Sequence, residues 1–173
     1  MWPFTQKAGE SARTPKPDDW LLARMQRNGF PLNVRMANAY RDIGRVPGYE
    51  HKIIIVVPLR DPQLSGMPED SEFDELKAVE LSLCGVLEAE NESLCVLAIT
   101  GCGTRDLIFY TRNPKQARKK IETVKAIITS HKIDVAIQPD RNWELYGFFG
   151  KAIAASSSAE TKTSAKTAPL ASN

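Results

Sequence analysis

A run of five β-branched residues constrains the fold of this chain more than any other feature of the sequence. The run is Ile53-Ile54-Ile55-Val56-Val57, and side chains of this kind are typical of a buried central strand. Pro58 and Pro62 follow, and proline cannot donate a hydrogen bond to a strand ladder. We therefore predict a strand over residues 52–59 and a loop over residues 61–70.

Two amphipathic helices are predicted after this strand. The first begins near Ser71, with Asp70 or Ser71 as N-cap and acidic residues in its first turn. The second begins at Asn113-Pro114, because Asn caps a helix well and Pro at the first position loses no hydrogen bond. Apolar residues recur at spacings of three and four on both, which predicts one buried face on each: Phe73, Leu76, Val79, Leu83 and Leu87, then Ala117, Ile121, Val124 and Ile128.

Further strands are predicted over residues 93–100, 104–111 and 133–138, so the order from residue 52 is strand, helix, strand, strand, helix, strand. This order predicts an α+β, ferredoxin-like βαββαβ fold, an antiparallel sheet with both helices on one face. Asn28-Gly29 separates two more strand patterns, over 20–27 and 30–37, and favours a tight hairpin turn. We expect this N-terminal β-hairpin to extend the sheet at an edge.

Composition divides the 173 residues into one domain and two tails. Residues 19–149 form the predicted single α+β domain. Residues 1–18 are polar and proline-containing, which predicts a flexible N-terminal segment. Residues 150–173 are mostly Ala, Ser, Thr and Lys, which predicts a disordered low-complexity tail because such residues bury little apolar surface.

The overall charge and cysteine content favour a cytoplasmic protein without a membrane anchor. The net charge is only +2, so any electrostatic partner must be recruited by a local patch. No apolar run approaches the roughly 20 residues of a membrane span, and the start of the chain lacks the pattern of a secretory signal. Three cysteines without paired spacing suit reduced thiols.

Short motifs in a fixed order resemble the bacterial domain-of-unknown-function family 695. The resemblance covers most of residues 19–149 and excludes both tails. Its motifs are Asp19-Trp20, Asn28-Gly29-Phe30-Pro31-Leu32 with Arg35, Gly66-Met67-Pro68, Thr104-Arg105 leading to Phe109-Tyr110-Thr111, and Trp143-x-x-Tyr146.

The resemblance implies a regulatory or binding role more than an enzymatic one. Members of that family sometimes share chains with a domain similar to the protein inhibitor of the RNA-degrading endonuclease E, itself a ferredoxin-like fold. Kinship of fold does not assign a chemistry, so the candidate sites are weighed on their own residues.

Cys102 and Arg105 are the weak candidates for catalysis. A cysteine between Gly101 and Gly103, near an arginine, suggests an activated thiolate, because positive charge lowers the pKa of a thiol. A nucleophile also needs a base, and no motif links it to either histidine of the chain. A plain hairpin turn, with Arg105 on a face of the sheet, is the favoured interpretation.

The helix over residues 115–125 offers a basic patch. Lys115, Arg118 and Lys119 fall near one helical face, which suits phosphates or an acidic protein surface. Charge on the solvated side of an amphipathic helix is also the ordinary state. RNA binding through the sheet is disfavoured, because the first predicted strand lacks aromatics and Phe109 and Tyr110 alternate to opposite faces.

The aromatic segment near the end of the domain is the third candidate. Arg141, Trp143 and Tyr146 are residue types that anchor protein interfaces. They are equally typical of a segment that packs back on the sheet, which is favoured because large aromatics bury most of their surface.

No residue pattern calls for a cofactor or a metal. The histidines are far apart, the cysteines lack ligand spacing, and no phosphate-binding loop is present. We therefore expect a non-enzymatic regulatory or protein-binding module with a protein partner. Its expected surfaces are the open sheet face carrying Arg105 or its neighbours, including Tyr110, and the Arg141–Tyr146 segment. The alternatives are a small thiol-dependent enzyme or hydrolase at Cys102, and a weak nucleic-acid binder through the basic helix.

Overall fold

A six-stranded antiparallel sheet organises the chain, which a computed structural model describes over residues 19–164, with side chains as far as residue 156. The strands are β1 (Trp20–Arg27), β2 (Phe30–Ala37), β3 (His51–Pro58), β4 (Ser93–Gly101), β5 (Thr104–Thr111) and β6 (Asp134–Pro139). The helices are α1 (Phe73–Leu87), α2 (Pro114–Ile127) and α3 (Glu144–Ser164). The strands lie in the order β1-β2-β4-β5-β3-β6, so β1 and β6 form the two edges.

The hairpin of β1 and β2 forms around the predicted turn. Asn28 and Gly29 both have positive φ, 53° and 83°, which Asn and Gly tolerate best. Arg27 then pairs with Phe30, and the ladder continues in register to Trp20 and Ala37. β2 also pairs with β4, so the hairpin extends the sheet on that side, as the sequence predicts.

The β-branched run forms β3, which lies between β5 and β6. Ile53, Ile55 and Val57 are fully buried on the face covered by α1 and α2. Ile54 and Val56 point to the opposite face and are only half-buried. The predicted strand is therefore confirmed, shifted by one residue at each end.

Both predicted helical faces pack on one side of the sheet. The buried positions of α1 are Leu76, Val79, Leu83 and Leu87, and those of α2 are Ala117, Ile121 and Val124. Phe73 is exposed, in contrast to the prediction, because α1 begins only at this residue after a 3-10 turn over Asp70–Glu72. The predicted cap is also absent, since no side chain caps the start of either segment.

A third helix covers the other face of the sheet and was not predicted. Trp143 lies just before the first turn of this helix and Tyr146 lies within the helix. Both side chains are buried, with an exposed fraction of 2% or less. The Trp143 ring stacks on Tyr110 with centroids 4.2 Å apart, and its Nε1 donates to the carbonyl oxygen of Tyr49 at 2.7 Å. The hydroxyl of Tyr146 donates to the carbonyl oxygen of Ala37 at 2.6 Å. These aromatics pack back on the sheet, as the sequence analysis favours, and Trp143 and Tyr146 are therefore not the exposed interface anchors of the alternative interpretation.

Helix α3 continues past Gly150 to Ser164, into the stretch for which the sequence predicts disorder. Ile153 is buried in the same core as Trp143, and the alanines around it favour helix. Tertiary packing therefore extends a helix that composition alone does not predict. The predicted flexible segment over 1–18 and residues 165–173 of the predicted tail lie outside the described residues.

Replacing Trp143 by Ala is expected to lower the free energy of unfolding by about 3–5 kcal/mol, because a fully buried aromatic leaves a large cavity. Chemical denaturation measures the change. Arg141→Ala is the control, since this side chain is 76% exposed and its pair with Glu50 is a surface contact worth at most about 1 kcal/mol. A Trp143→Ala chain as stable as the Arg141→Ala chain would contradict the packing described here.

Candidate functional site

The turn that carries Cys102 is built by close backbone contacts. Cys102 is exposed, at a φ of 53°, at the tip between β4 and β5. A Cβ atom on Gly101 would clash with the carbonyl oxygen of Pro31, and one on Gly66 would lie 2.9 Å from Cα of Cys102. Gly103 N donates to the carbonyl oxygen of Gly66 at 2.8 Å. Gly66 therefore serves the approach of the loop to the turn, and Gly101 serves the approach of β2.

Arg105 lies on the face of the sheet that α1 and α2 cover, not on the open face where the sequence analysis placed it. Its guanidinium donates to the carboxylate of Glu80 on α1, with Nε 3.1 Å from Oε2, and to Thr100 Oγ1 at 3.3 Å. Glu80 also pairs with Arg35 of β2. The cluster ties α1 to β2 and β5, so Arg105 is committed to a structural ion pair.

The thiol-enzyme constellation is not assembled around Cys102. Neither histidine of the described chain is bonded to it, since His131 hydrogen-bonds to Ser130 and Glu72 and His51 lies at the start of β3. The hydrogen bond with Cys84, together with burial, raises the pKa of the Cys95 thiol well above its usual range, which keeps that cysteine unreactive. The contacts of this turn are those of a structural turn.

A buried cluster that the sequence analysis missed joins Ser130, His131 and Glu72. His131 Nε2 lies 2.8 Å from Oε1 of Glu72, and its Nδ1 lies 3.0 Å from Oγ of Ser130. Glu72 also accepts from the backbone N–H of Arg60 at 2.8 Å. A cavity of about 490 Å³ adjoins the cluster, but the His131 side chain has no exposed surface. The cluster therefore anchors the segment after α2 to the start of α1.

A larger groove, of about 880 Å³, runs between α2 and β6. Its cationic wall is the N-terminal half of α2, and its floor is apolar. Asn113 fixes the start of α2 by accepting from Gln116 N at 3.1 Å, and Pro114 is the first helical residue. The buried stripe of α2 faces the sheet, so the basic residues point out beside β6. The lining residues are His51, Pro114, Lys115, Arg118, Lys119, Glu122, Thr123 and Ile137.

The cations at the start of this groove lack ion-pair partners within the described chain. Lys115, Arg118 and Lys119 form no ion pair with any residue between 19 and 156, whereas Lys120 on the same helix is held by Glu92 at 2.6 Å. Glu122, the acidic lining residue, lies 3.5 Å from Lys125. The three predicted basic residues therefore converge on one concave surface.

The edge strand β6 supplies backbone groups to the same groove. Asp140 N donates to the carbonyl oxygen of Glu50 at 2.8 Å, in line with the register that pairs Gln138 with Lys52. Bonded and non-bonded residues alternate along an antiparallel ladder, so Ala136 and Gln138 bond to β3. The N–H and C=O groups of the residues between them, Val135 and Ile137, point away from β3. No other described strand pairs with this edge.

Asp106 is a further residue that the sequence analysis missed, in addition to the buried cluster of Ser130, His131 and Glu72. It follows Arg105 on β5 and therefore points to the opposite, half-open face of the sheet. Its Oδ1 is buried without a hydrogen-bond partner among the described residues. Burial raises the pKa of Asp106 above its usual range, while a hydrogen bond with Thr104 and the charge of Arg27 act in the opposite direction. The charged form is therefore poorly accommodated.

Arg105→Met is expected to lower the free energy of unfolding by about 1–3 kcal/mol, because it removes charged hydrogen bonds from a cluster that is mostly buried. Arg118→Met is the matched control, since Arg118 is exposed and its replacement is expected to change stability by less than about 0.5 kcal/mol. Thermal and chemical unfolding of both chains test this. Equal stability of the two variants would show that the ion pair with Glu80 contributes nothing.

Asp106→Asn is expected to raise the thermal midpoint at pH 7 by about 1–3 °C. Because the pKa of Asp106 is raised in the folded chain, its favourable contribution is present at low pH and lost as the pH rises through that pKa. The gain over the wild type should therefore vanish below about pH 4, where both chains are uncharged at this position. Asp134→Asn, an exposed position on β6, is the control. A midpoint that falls at pH 7 would contradict the assignment.

Metal and membrane sites find no support in the described chain. Within residues 19–156, no three His, Cys, Asp or Glu side chains are grouped so that they could hold a metal ion. None of the described helices is both long and apolar enough to cross a bilayer.

Comparison with known proteins identifies a family. The model of the family of unknown function DUF695 matches residues 18–149, which include every strand of the described chain and both α1 and α2. No curated protein and no solved structure matches the chain. The matched range ends within α3, after the aromatic residues that pack on the sheet. Because the match covers well over half of the sequence, this chain belongs to the DUF695 family.

Proposed function

We propose that this chain is a non-enzymatic protein-binding module and that the groove between α2 and β6 binds an acidic segment of a partner protein. The observation that carries the proposal is the convergence of Lys115, Arg118 and Lys119, without ion-pair partners in the described chain, above an apolar floor that includes Ile137. Concave surfaces with convergent polar groups are the usual place for a ligand.

A protein partner is favoured over nucleic acid by the surroundings of the three cations. Glu122 lies in the groove, Pro114 and Ile137 give it apolar surface, and the net charge of the chain is only +2. Nucleic-acid domains usually carry a broader basic surface. Phe109 and Tyr110 are both fully buried, so neither offers a platform on which a base could stack.

A binding role is also favoured over a thiol enzyme. Cys102 has no histidine bonded to it among the described residues, and Arg105 is held by Glu80. The interleaved units β3-α1-β4 and β5-α2-β6, with the hairpin beside β4, support a ferredoxin-like classification of the domain. A regulatory role in the cytoplasm is part of the proposal, since the three cysteines are unpaired.

The test is a charge reversal of the groove. The triple variant Lys115→Glu, Arg118→Glu, Lys119→Glu should bind a fluorescent octaglutamate peptide about tenfold more weakly or worse, because each lost pair contributes up to about 1 kcal/mol. Fluorescence anisotropy at low ionic strength gives the dissociation constants. The matched control reverses Arg41, Lys77 and Lys132, which are exposed and lie outside the groove.

The control should bind the peptide within about twofold of the wild type, since it changes the net charge equally but leaves the groove intact. Equally weakened peptide binding in both triple variants would contradict the proposal, because it would show that the net charge of the chain alone determines the affinity. A twelve-residue oligothymidylate that binds more tightly than the peptide, and only to chains with an intact groove, would point to nucleic acid instead.

A further inference from the structure

The free edge of β6 lies directly beside the cations of α2, and this juxtaposition indicates how a partner would bind. Resting on the function proposed above, we infer that the acidic segment of the partner binds in an extended conformation as a seventh, antiparallel strand on β6. A peptide that adds to a sheet edge gains affinity from main-chain hydrogen bonds and specificity from alternate side chains. This groove offers both unpaired main-chain groups for hydrogen bonds and a surface that can select alternate side chains.

The backbone groups available for this pairing are defined by the register. Val135 and Ile137 direct both N–H and C=O away from β3, whereas Ala136 and Gln138 are bonded to it. Pro139 ends the strand and has no N–H to offer. The pairing surface is therefore short, and a segment of about six to eight residues spans it.

The side chains of the added strand would alternate between two different surfaces. Val135 and Ile137 point to the face of the sheet that carries α2, because they pair with the buried residues Ile55 and Ile53. Residues of the added strand opposite them point to the same face and meet Lys115, Arg118 and Lys119. The structure thus favours Asp or Glu at every second position of the partner segment.

The other edge of the sheet does not offer this combination. β1 is also unpaired on its outer side within the described chain, but no basic helix of that chain runs alongside it. Its exposed side chains include the apolar Leu22, which is 76% exposed. A second copy of this chain is likewise disfavoured on β6. Pairing two β6 edges would bring two sets of groove cations together, and like charges at close range repel.

The test uses the full chain, labelled with ¹⁵N, and the capped peptide (Glu-Thr)4 as the probe. Amide hydrogen exchange is followed by NMR with and without saturating peptide. Exchange at Val135 and Ile137 should slow by about tenfold or more, because their N–H groups pass from water into hydrogen bonds. Ala136 and Gln138, already bonded to β3, should change little and serve as internal controls.

Peptides methylated on backbone nitrogen give a second measurement that leaves the protein unchanged. In an antiparallel pairing, the residues opposite Val135 and Ile137 form the hydrogen bonds, and these are the Glu positions. N-methylation of the Glu residues should therefore abolish binding, while N-methylation of the Thr residues should weaken it by less than about threefold. Loss only on methylation of Thr would overturn the antiparallel arrangement.

The outcomes separate this inference from the proposed function. If (Glu-Thr)4 binds the wild type and not the groove-reversed triple variant, but exchange at Val135 and Ile137 is unchanged, strand addition is overturned and the acidic-peptide groove stands. If the peptide fails to bind, or binds both chains equally, the proposed function itself fails. Protection of these two amides without peptide, together with a dimer in sedimentation, would assign the edge to a second copy and overturn the inference.

Discussion

The buried carboxylate of Asp140 connects β5, the end of β6 and the start of α3, and the rest of the structure depends on this connection. Its Oδ2 accepts from the hydroxyl of Tyr110 at 2.7 Å, and its Oδ1 accepts from Glu144 N at 2.8 Å, where α3 begins. One side chain, directly after the end of β6, thus caps the start of α3 and fixes the tyrosine on which Trp143 stacks. Trp143 itself has a φ of 56°, a conformation that costs a non-glycine residue about 1–3 kcal/mol and is held by the packing around it. Because the chain turns at Asp140 onto the other face of the sheet, α3 does not cover the edge of β6.

The two faces of the sheet are consequently buried by different parts of the chain. Helices α1 and α2 cover one face above β3 and β5, and α3 covers the other above β2 and β4. Glu80 links the first layer to the hairpin through Arg35 of β2. Asp106 shows the cost of the half-covered region, since its carboxylate lies there with one oxygen buried and unpaired. The layers leave open the half-buried face near Val56 and the outer edges of β1 and β6.

Local sequence patterns predicted an element correctly where neighbouring residues determine it. They failed where contacts between residues distant in sequence determine the element. The turn at Asn28-Gly29 and the start of α2 at Asn113-Pro114 depend on residues adjacent in sequence, and both were predicted correctly. Helix α3 was missed because Ile153 and Tyr146 gain their burial from strands more than 30 residues away in sequence, while the alanines and serines around them resemble a linker. For the same reason the partner of Arg105, which is Glu80, could not be identified. The cations of the groove were visible in the sequence, but Ile137 joins them only through the strand order.

The open edge of β6 raises a physical question, since exposed strand edges invite aggregation and proteins usually blunt them with charges, proline or a covering element. Here Asp134 and Pro139 stand at the two ends of the strand, and the stretch Val135–Ile137 between them carries no charge. The basic face of α2 lies alongside that stretch instead. Positive charge placed beside the edge, instead of on it, repels the same groove of a second copy at distances within the Debye length of about 8 Å. The same positive charge attracts an acidic strand. One row of cations can therefore both protect the edge from self-pairing and select the segment that is allowed to pair with it.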